Sequence, residues 1–389
     1  MRESTIYFGK NKELIHNFAG FFICKSLNNE IMVNKREEEC LAELSKEVFN
    51  NVEVKMLRLA MSPSVDQGEL DSSLAGWNIE QASVKSQTIA FNLSITHPEI
   101  SFPKECQPVL QRMRFSCRER YLTILPHFVK VIKVLESRGI KYIILKGGAM
   151  RVYRPAYPRW TSDIDILVPG VQYKEALEIF KNQGYTLFKS IHSTGLEDPV
   201  TKQSFVDIHR FVGTGTIKAK LLSRDLAGRA LSLKFSSSSA TVPCPEDMVF
   251  ISLVNFWKNV TDVTSENSMA NLCFDLKYLQ DYKRDLNWDI IRSDAMITDT
   301  IEAVYISRRL LEGIITDFFP KGFLDEDVDP SKLRKLISRT RYTRNSVSVL
   351  RDFSLPGAIK NAKSLSQYFL YRVKFFFVKR FHLLFDKDR

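Results

Sequence analysis

Long apolar runs are missing from this chain. No stretch approaches the roughly 18 to 20 apolar residues that a helical membrane span requires. The opening segment, MRESTIYFGKNKELIHNF, carries charges throughout and so lacks the apolar core of a signal peptide. Closely spaced cysteine pairs are missing too. Cys24, Cys40, Cys106, Cys117, Cys244 and Cys273 stand far apart, without metal-ligand spacing, and are expected as reduced thiols. Acids are in deficit: 45 Asp and Glu face 56 Lys and Arg, a formal charge of +11. No internal repeat is evident. Together these features predict a soluble, cytoplasmic protein with an anionic partner, whether nucleotide, nucleic acid or membrane surface.

What is present is an ordinary globular composition, 44% hydrophobic and 26% charged, over 389 residues. That length suffices for two or three domains, or for one core with helical additions. The chain is organised around Lys141 to Val168, KYIILKGGAMRVYRPAYPRWTSDIDILV. Tyr142 to Leu145 reads as a buried strand. Lys146-Gly147-Gly148 follows, then a helical segment from Ala149 to Tyr153, which Pro155 and Pro158 end. Ile164 to Val168 reads as a second strand, with Asp163 and Asp165 two apart and therefore on one face. Two carboxylates side by side repel unless a cation compensates, and a hard divalent ion such as Mg²⁺ fills that role. Glycines between a strand and a helix let phosphates approach the backbone and the helix N-terminus. The combination points to metal-assisted phosphoryl or nucleotidyl transfer. The bland alternative is a strand–turn–helix whose aspartates cap a loop.

These residues resemble the nucleotidyltransferase fold of the DNA polymerase β superfamily. More narrowly, they resemble an uncharacterised bacterial nucleotidyltransferase family, through Leu145-Lys146-Gly147, Tyr157-Pro158-Arg159 and Asp163-Ile164-Asp165-Ile166-Leu167-Val168. The resemblance implies an α/β (α+β) core with a small mixed sheet, and a third carboxylate from a later strand. Phe205-Val206-Asp207-Ile208-His209 supplies it within a predicted strand, Ser204 to Val212. Asp207 would complete the site, and His209, on the same face by alternation, is either a neighbouring support or a packed core histidine. Asn271 to Trp288 resembles the family's second block, with Asp275 at its acidic position. Asp275 either serves the nucleotide pocket or salt-bridges a helix packed on the sheet.

Elsewhere, helices are expected at Lys35 to Val48, over Arg118 to Leu135 with a break at Pro126, and at Val171 to Gln183. A strand is expected at Tyr185 to Lys189, and Ser223 to Leu233 is a short helix or strand. Met61 to Trp77, rich in Ser, Gly and Asp, reads as a loop. From Pro245 the chain turns helical, at about 246–259, 268–283, 288–295, 298–318, 331–344 and 358–385. Arg112, Arg114, Arg118 and Arg120 read most simply as a solvated helix face, with a nucleic-acid contact as the alternative. Domains are expected at 1–117 (mainly helical), 118–242 (nucleotidyltransferase core) and 243–389 (helical, with a basic tail). The aromatic, basic stretch from Tyr368 to Phe385 either packs on the domain or contacts RNA or an anionic membrane.

The implied reaction moves a nucleoside monophosphate from an NTP, with ATP the expected donor, to a hydroxyl-bearing acceptor. Mg²⁺, or Mn²⁺ in its place, would be held by Asp163, Asp165 and Asp207. Lys146, Gly147, Gly148, Arg159 and Ser162 are the candidate phosphate contacts. The acceptor stays open among small molecule, protein and tRNA. The last would follow from a likeness to AbiEii-type toxins. A non-catalytic nucleotide-binding or membrane-peripheral adaptor is the remaining alternative.

Overall fold

The computed structural model describes residues 38–157, 159–170, 172–190, 193–212, 217–235, 238–261 and 267–351. Two compact units divide at Phe49 and Asn50. In the first, helix α1 (38–48) buries Leu41, Leu44 and Val48, spaced as one helical face.

In the second unit, α2 (Asn51–Met61) starts at a reciprocal cap: Asn50 Oδ1 accepts from Glu53 N, and Glu53 Oε2 accepts from Asn50 N. The segment from Met61 to Trp77 is not a plain loop as its composition suggests. It contains α3 (Gln67–Leu74), capped by Asp66 and anchored by buried Leu70 and Leu74, one helical turn apart. After α4 (Val84–Thr96) comes α5 (Gln107–Ser137), a single helix that continues through Pro126. Proline there removes the amide that would bond the Leu122 carbonyl. Leu122 lies on the exposed side, so water can serve that carbonyl. Gly139, with φ +66°, then turns the chain into the sheet.

The sheet has five strands in the order β1-β2-β5-β4-β3: β1 (Ile143–Ile144), β2 (Ile164–Leu167), β3 (Thr186–Lys189), β4 (Ser193–Glu197) and β5 (Ser204–His209). It is mixed, because β2 and β5 are parallel while β1/β2, β4/β5 and β3/β4 are antiparallel. This agrees with the expected small mixed sheet, with β4 as an additional strand. Helix α6 (Lys146–Tyr153) links β1 to β2, and α7 (Gln172–Asn182) links β2 to β3, ending at Gly184 with φ +86°. Helix α6 packs on β2 and α5 on β5. Helix α8 (Ile217–Arg229) precedes a hairpin of β6 (Leu231–Phe235) and β7 (Ser238–Val242).

Helices α9 (Pro245–Thr261), α10 (Asn267–Leu279), α11 (Trp288–Thr298), α12 (Ile301–Glu312) and α13 (Pro330–Arg351) complete the described chain. Helices α10, α11, α12 and α13 all pack on α9, and α10 also packs on α4. The fully buried rings of Phe91, Phe256 and Phe274 fill this helical core. No helix among the described residues is long and apolar enough to cross a membrane. The described cysteines are free thiols, as expected. The stretch from Tyr368 to Phe385 lies outside the described residues.

Candidate active site

Strand β2 buries Ile164 and Ile166 on one face, and alternation sends Asp163 and Asp165 to the other. The parallel register sets Asp165 opposite Asp207 and Leu167 opposite His209. Residues drawn from distant parts of the chain thereby meet on one surface. Ligand atoms of Asp165, Asp207 and His209 all lie within 4.8 Å of one another. Asp163 stands outside that group, just before the strand, where its Oδ1 accepts from Ser162 Oγ at 2.9 Å.

Asp165 is the hub. Its Oδ1 accepts from Lys146 Nζ at 2.8 Å and lies 2.6 Å from His209 Nε2. Burial alone would raise its pKa, but Lys146 and His209 together outweigh burial and hold the carboxyl far below the usual range. Burial, then the charge of Asp165, pushes Asp163 up. Burial, then Asp163 and Asp165, does the same to Asp207. Asp165 has direct hydrogen-bond partners in Lys146 and His209, whereas Asp163 and Asp207 are left above the usual carboxylate range. A bound divalent cation fits this donor set, because it supplies the missing positive charge beside two carboxylates and an imidazole.

Lys146 reaches Asp165 from the first residue of α6, with φ +48°. That left-handed conformation costs a non-glycine residue about 1 kcal/mol or more. The glycines after it are needed for close packing. A Cβ on Gly147 would lie 2.1 Å from Arg159 Nη1, and one on Gly148 would lie 2.7 Å from Ile144 and 2.9 Å from Ile164. Arg159 is buried, and its Nε donates to both oxygens of Asp275 on α10, at 2.8 and 3.1 Å. Burial opposes the Arg159 charge and Asp275 restores it, while burial raises the Asp275 carboxyl against the pull of Arg159. Asp275 thus joins a helix to the loop ahead of Asp163.

Two contributors have no clear sequence signal. Arg120, within the arginine cluster of α5, donates to the Ser162 carbonyl and stands 4.6 Å over the Phe205 ring, so it touches both the β2 approach and β5. Gly195 on β4 pairs with Asp207, and a Cβ there would come 3.1 Å from Asp207 Oδ1. By contrast, Arg112 bonds exposed Glu80 on the solvated side of α5.

Residues 86–314 match the family described as uncharacterised nucleotidyltransferase, and the chain belongs to that family. No curated protein sequence matches the chain. Among solved structures it is similar to the antibiotic-resistance factor ANT(2'')-Ia, with 13% identity, 47% of this chain and 94% of that one covered, and a TM-score of 0.31. It is also similar to an antigenic nucleotidyltransferase-like protein from Paracoccidioides brasiliensis, with 14% identity, coverages of 51% and 94%, and a TM-score of 0.34.

Proposed function

We propose that the protein is a metal-dependent enzyme that transfers a nucleoside monophosphate from an NTP to a hydroxyl-bearing acceptor and releases pyrophosphate. The observation that carries this reading is the convergence of Asp165, Asp207 and His209 on two adjacent parallel strands, beside Lys146, in a chain of the nucleotidyltransferase family. Asp165 and Asp207, with Asp163 at the edge, would hold Mg²⁺ or Mn²⁺. When bound, such an ion neutralises triphosphate charge and polarises the reacting phosphoryl group.

The remaining work falls to the chain itself. Asp207, beside Asp165 on the neighbouring parallel strand, accepts the acceptor hydroxyl's proton as that oxygen attacks the α-phosphorus. The α–β bridging P–O bond breaks and its electron pair leaves with pyrophosphate. Lys146, partly exposed beside Asp165, binds phosphate oxygens. The amides at the start of α6 around Gly147 and Gly148 favour the same anion. Ser162 is a further phosphate contact. Arg159, bound to Asp275, lends its charge from beneath.

The test is thermal and chemical together. Millimolar ATP or another NTP with divalent metal should raise the melting temperature, because a ligand that binds only the native state stabilises it. Labelled NTP should then mark tRNA, a protein or a small molecule in an extract. A protein that no NTP stabilises and that labels nothing would overturn the proposal.

A further inference from the structure

Three carboxylates alone would make an all-oxygen site suited to Mg²⁺, but an imidazole stands among them. His209 and Asp207 are two apart on β5 and share the face that Asp165 shares across the parallel pair. The His209 ring is buried, 4% exposed, so its orientation is fixed by packing rather than by solvent. Nε2 is the nitrogen turned toward Asp165, 2.6 Å from its Oδ1, and a ring nitrogen of His209 lies within 4.8 Å of an Asp207 oxygen. Three donor atoms in so small a span can meet one ion through side-chain rotation alone. Asp163, which the sequence places first among ligands, lies outside that span.

We propose that His209 ligates the catalytic ion through Nε2, giving a mixed nitrogen–oxygen site that selects Mn²⁺ over Mg²⁺. This rests on the nucleotidyltransferase reading for its purpose but not for its geometry. Mg²⁺ takes oxygen ligands in a strict octahedron and gives up water reluctantly, so an imidazole gains it little. Imidazole nitrogen suits first-row transition ions, and affinity rises along that row from Mn²⁺ onward. Two carboxylates in the same set keep Mn²⁺ acceptable, because carboxylate oxygen is its common ligand. On ligation, His209 exchanges its hydrogen bond to Asp165 for the bond to the ion. Any proton on Nε2 leaves to solvent. Asp165 keeps Lys146 as its remaining hydrogen-bond donor.

The full-length protein should be loaded with Mn²⁺ alone and examined by pulsed electron paramagnetic resonance. The expected signal is nitrogen-14 coupling to the manganese, lost in His209→Asn. Calorimetric competition should show Mn²⁺ bound at least about tenfold more tightly than Mg²⁺. The asparagine variant should lose about tenfold or more in Mn²⁺ affinity, no less than removing a ligand's outer partner costs. His209→Asp, which restores an all-carboxylate set, should move the preference back toward Mg²⁺. Should either variant unfold by circular dichroism, the wild-type nitrogen coupling and the competition still decide the matter. Manganese that binds without nitrogen coupling, does not bind at all, or binds no better than Mg²⁺ overturns the inference. A labelled-NTP assay in each metal keeps the two readings apart. Coupling without transfer leaves the metal site standing and removes the enzyme. Transfer without coupling does the reverse.

Discussion

Two acidic clusters in this protein make an instructive pair. On the sheet, Asp163, Asp165 and Asp207 share Lys146 and His209, and two of the three carboxylates are left raised in pKa by burial and by one another. In the helical half, Asp247 and Asp294 share one guanidinium: Arg229 Nη2 donates to Asp247 at 2.5 Å and to Asp294 at 2.7 Å. Burial pushes the Asp294 carboxyl up against the pull of Arg229, and Asp247 adds to the rise, to about 7. A shifted carboxyl therefore does not mark the candidate site by itself. The difference lies in closure. Asp247 is wholly buried and Asp294 nearly so, at the junction of α8, α9 and α11, and both accept hydrogen bonds from protein. The sheet cluster stands on a half-buried strand face with ligand atoms turned toward one another. One arrangement holds helices together, and the other gathers donor atoms of the kind the proposed metal site requires.

The largest expected effect breaks the sheet cluster at its hub. Asp165→Asn should lower transfer by ~10³-fold or more, the scale on which loss of a catalytic group registers. It should also cost roughly 2 kcal/mol of stability, because Lys146 loses a charged hydrogen-bond partner. Asp163→Asn should abolish transfer as well, yet leave the melting temperature unchanged or raised, since a repulsive charge is removed. Parallel transfer assays and thermal melts check the contrast, and two variants with the same melting shift would erase it.

The helical cluster should respond in stability alone. Arg229→Met leaves Asp247 and Asp294 buried without their cation and should cost about 3 kcal/mol in urea unfolding. Transfer per folded molecule should stay within about twofold. A variant that unfolds normally but loses transfer would join this cluster to the chemistry.

The last contrast is a pH slope. Asp294 binds its proton more tightly folded, near 7, than unfolded, near 3.9. Between those values the folded state holds more protons. The stability from this group is therefore complete below about pH 4, declines as pH rises toward 7, and changes no further above it. Asp163 and Asp207 slope the same way, so the informative quantity is wild type minus Asp294→Asn. That difference should be largest at pH 4 and shrink by pH 7. A flat difference would show that Asp294 titrates normally.

Much of the sheet cluster could be read in the chain because alternation is a strong signal. Ile164 and Ile166 against Asp163 and Asp165, and Val206 and Ile208 against Asp207 and His209, give both strands and the carboxylate face. Strand β4 could not be read. Ser193, Thr194 and Gly195 carry little apolar area, and they are buried through position between β3 and β5 rather than through their own hydrophobicity. The glycine opposite Asp207 was hidden with it. Helix α3 was masked by its serines, although Asp66 and the Leu70–Leu74 pair mark it once the cap is recognised. Arg120 looked like its solvated neighbours, because nothing local tells which arginine of a helix meets another element. The helices after Pro245 could be read as well, but the Arg229 cluster joins segments as far as 65 residues apart, and no local pattern encodes that.

Burial of Arg159 against Asp275 also sets a schedule for synthesis. The partners lie 116 residues apart, and at a translation rate of 5–20 residues per second the arginine leaves the ribosome roughly 6 to 23 seconds before its carboxylate. During that interval its charge has to stay in water, so Arg159 cannot yet lie against Gly147. Asp163, Asp165 and Asp207 have all been made by then. The nascent chain therefore carries all three carboxylates before the loop in front of them can close on α10, and the candidate site is finished from the C-terminal side.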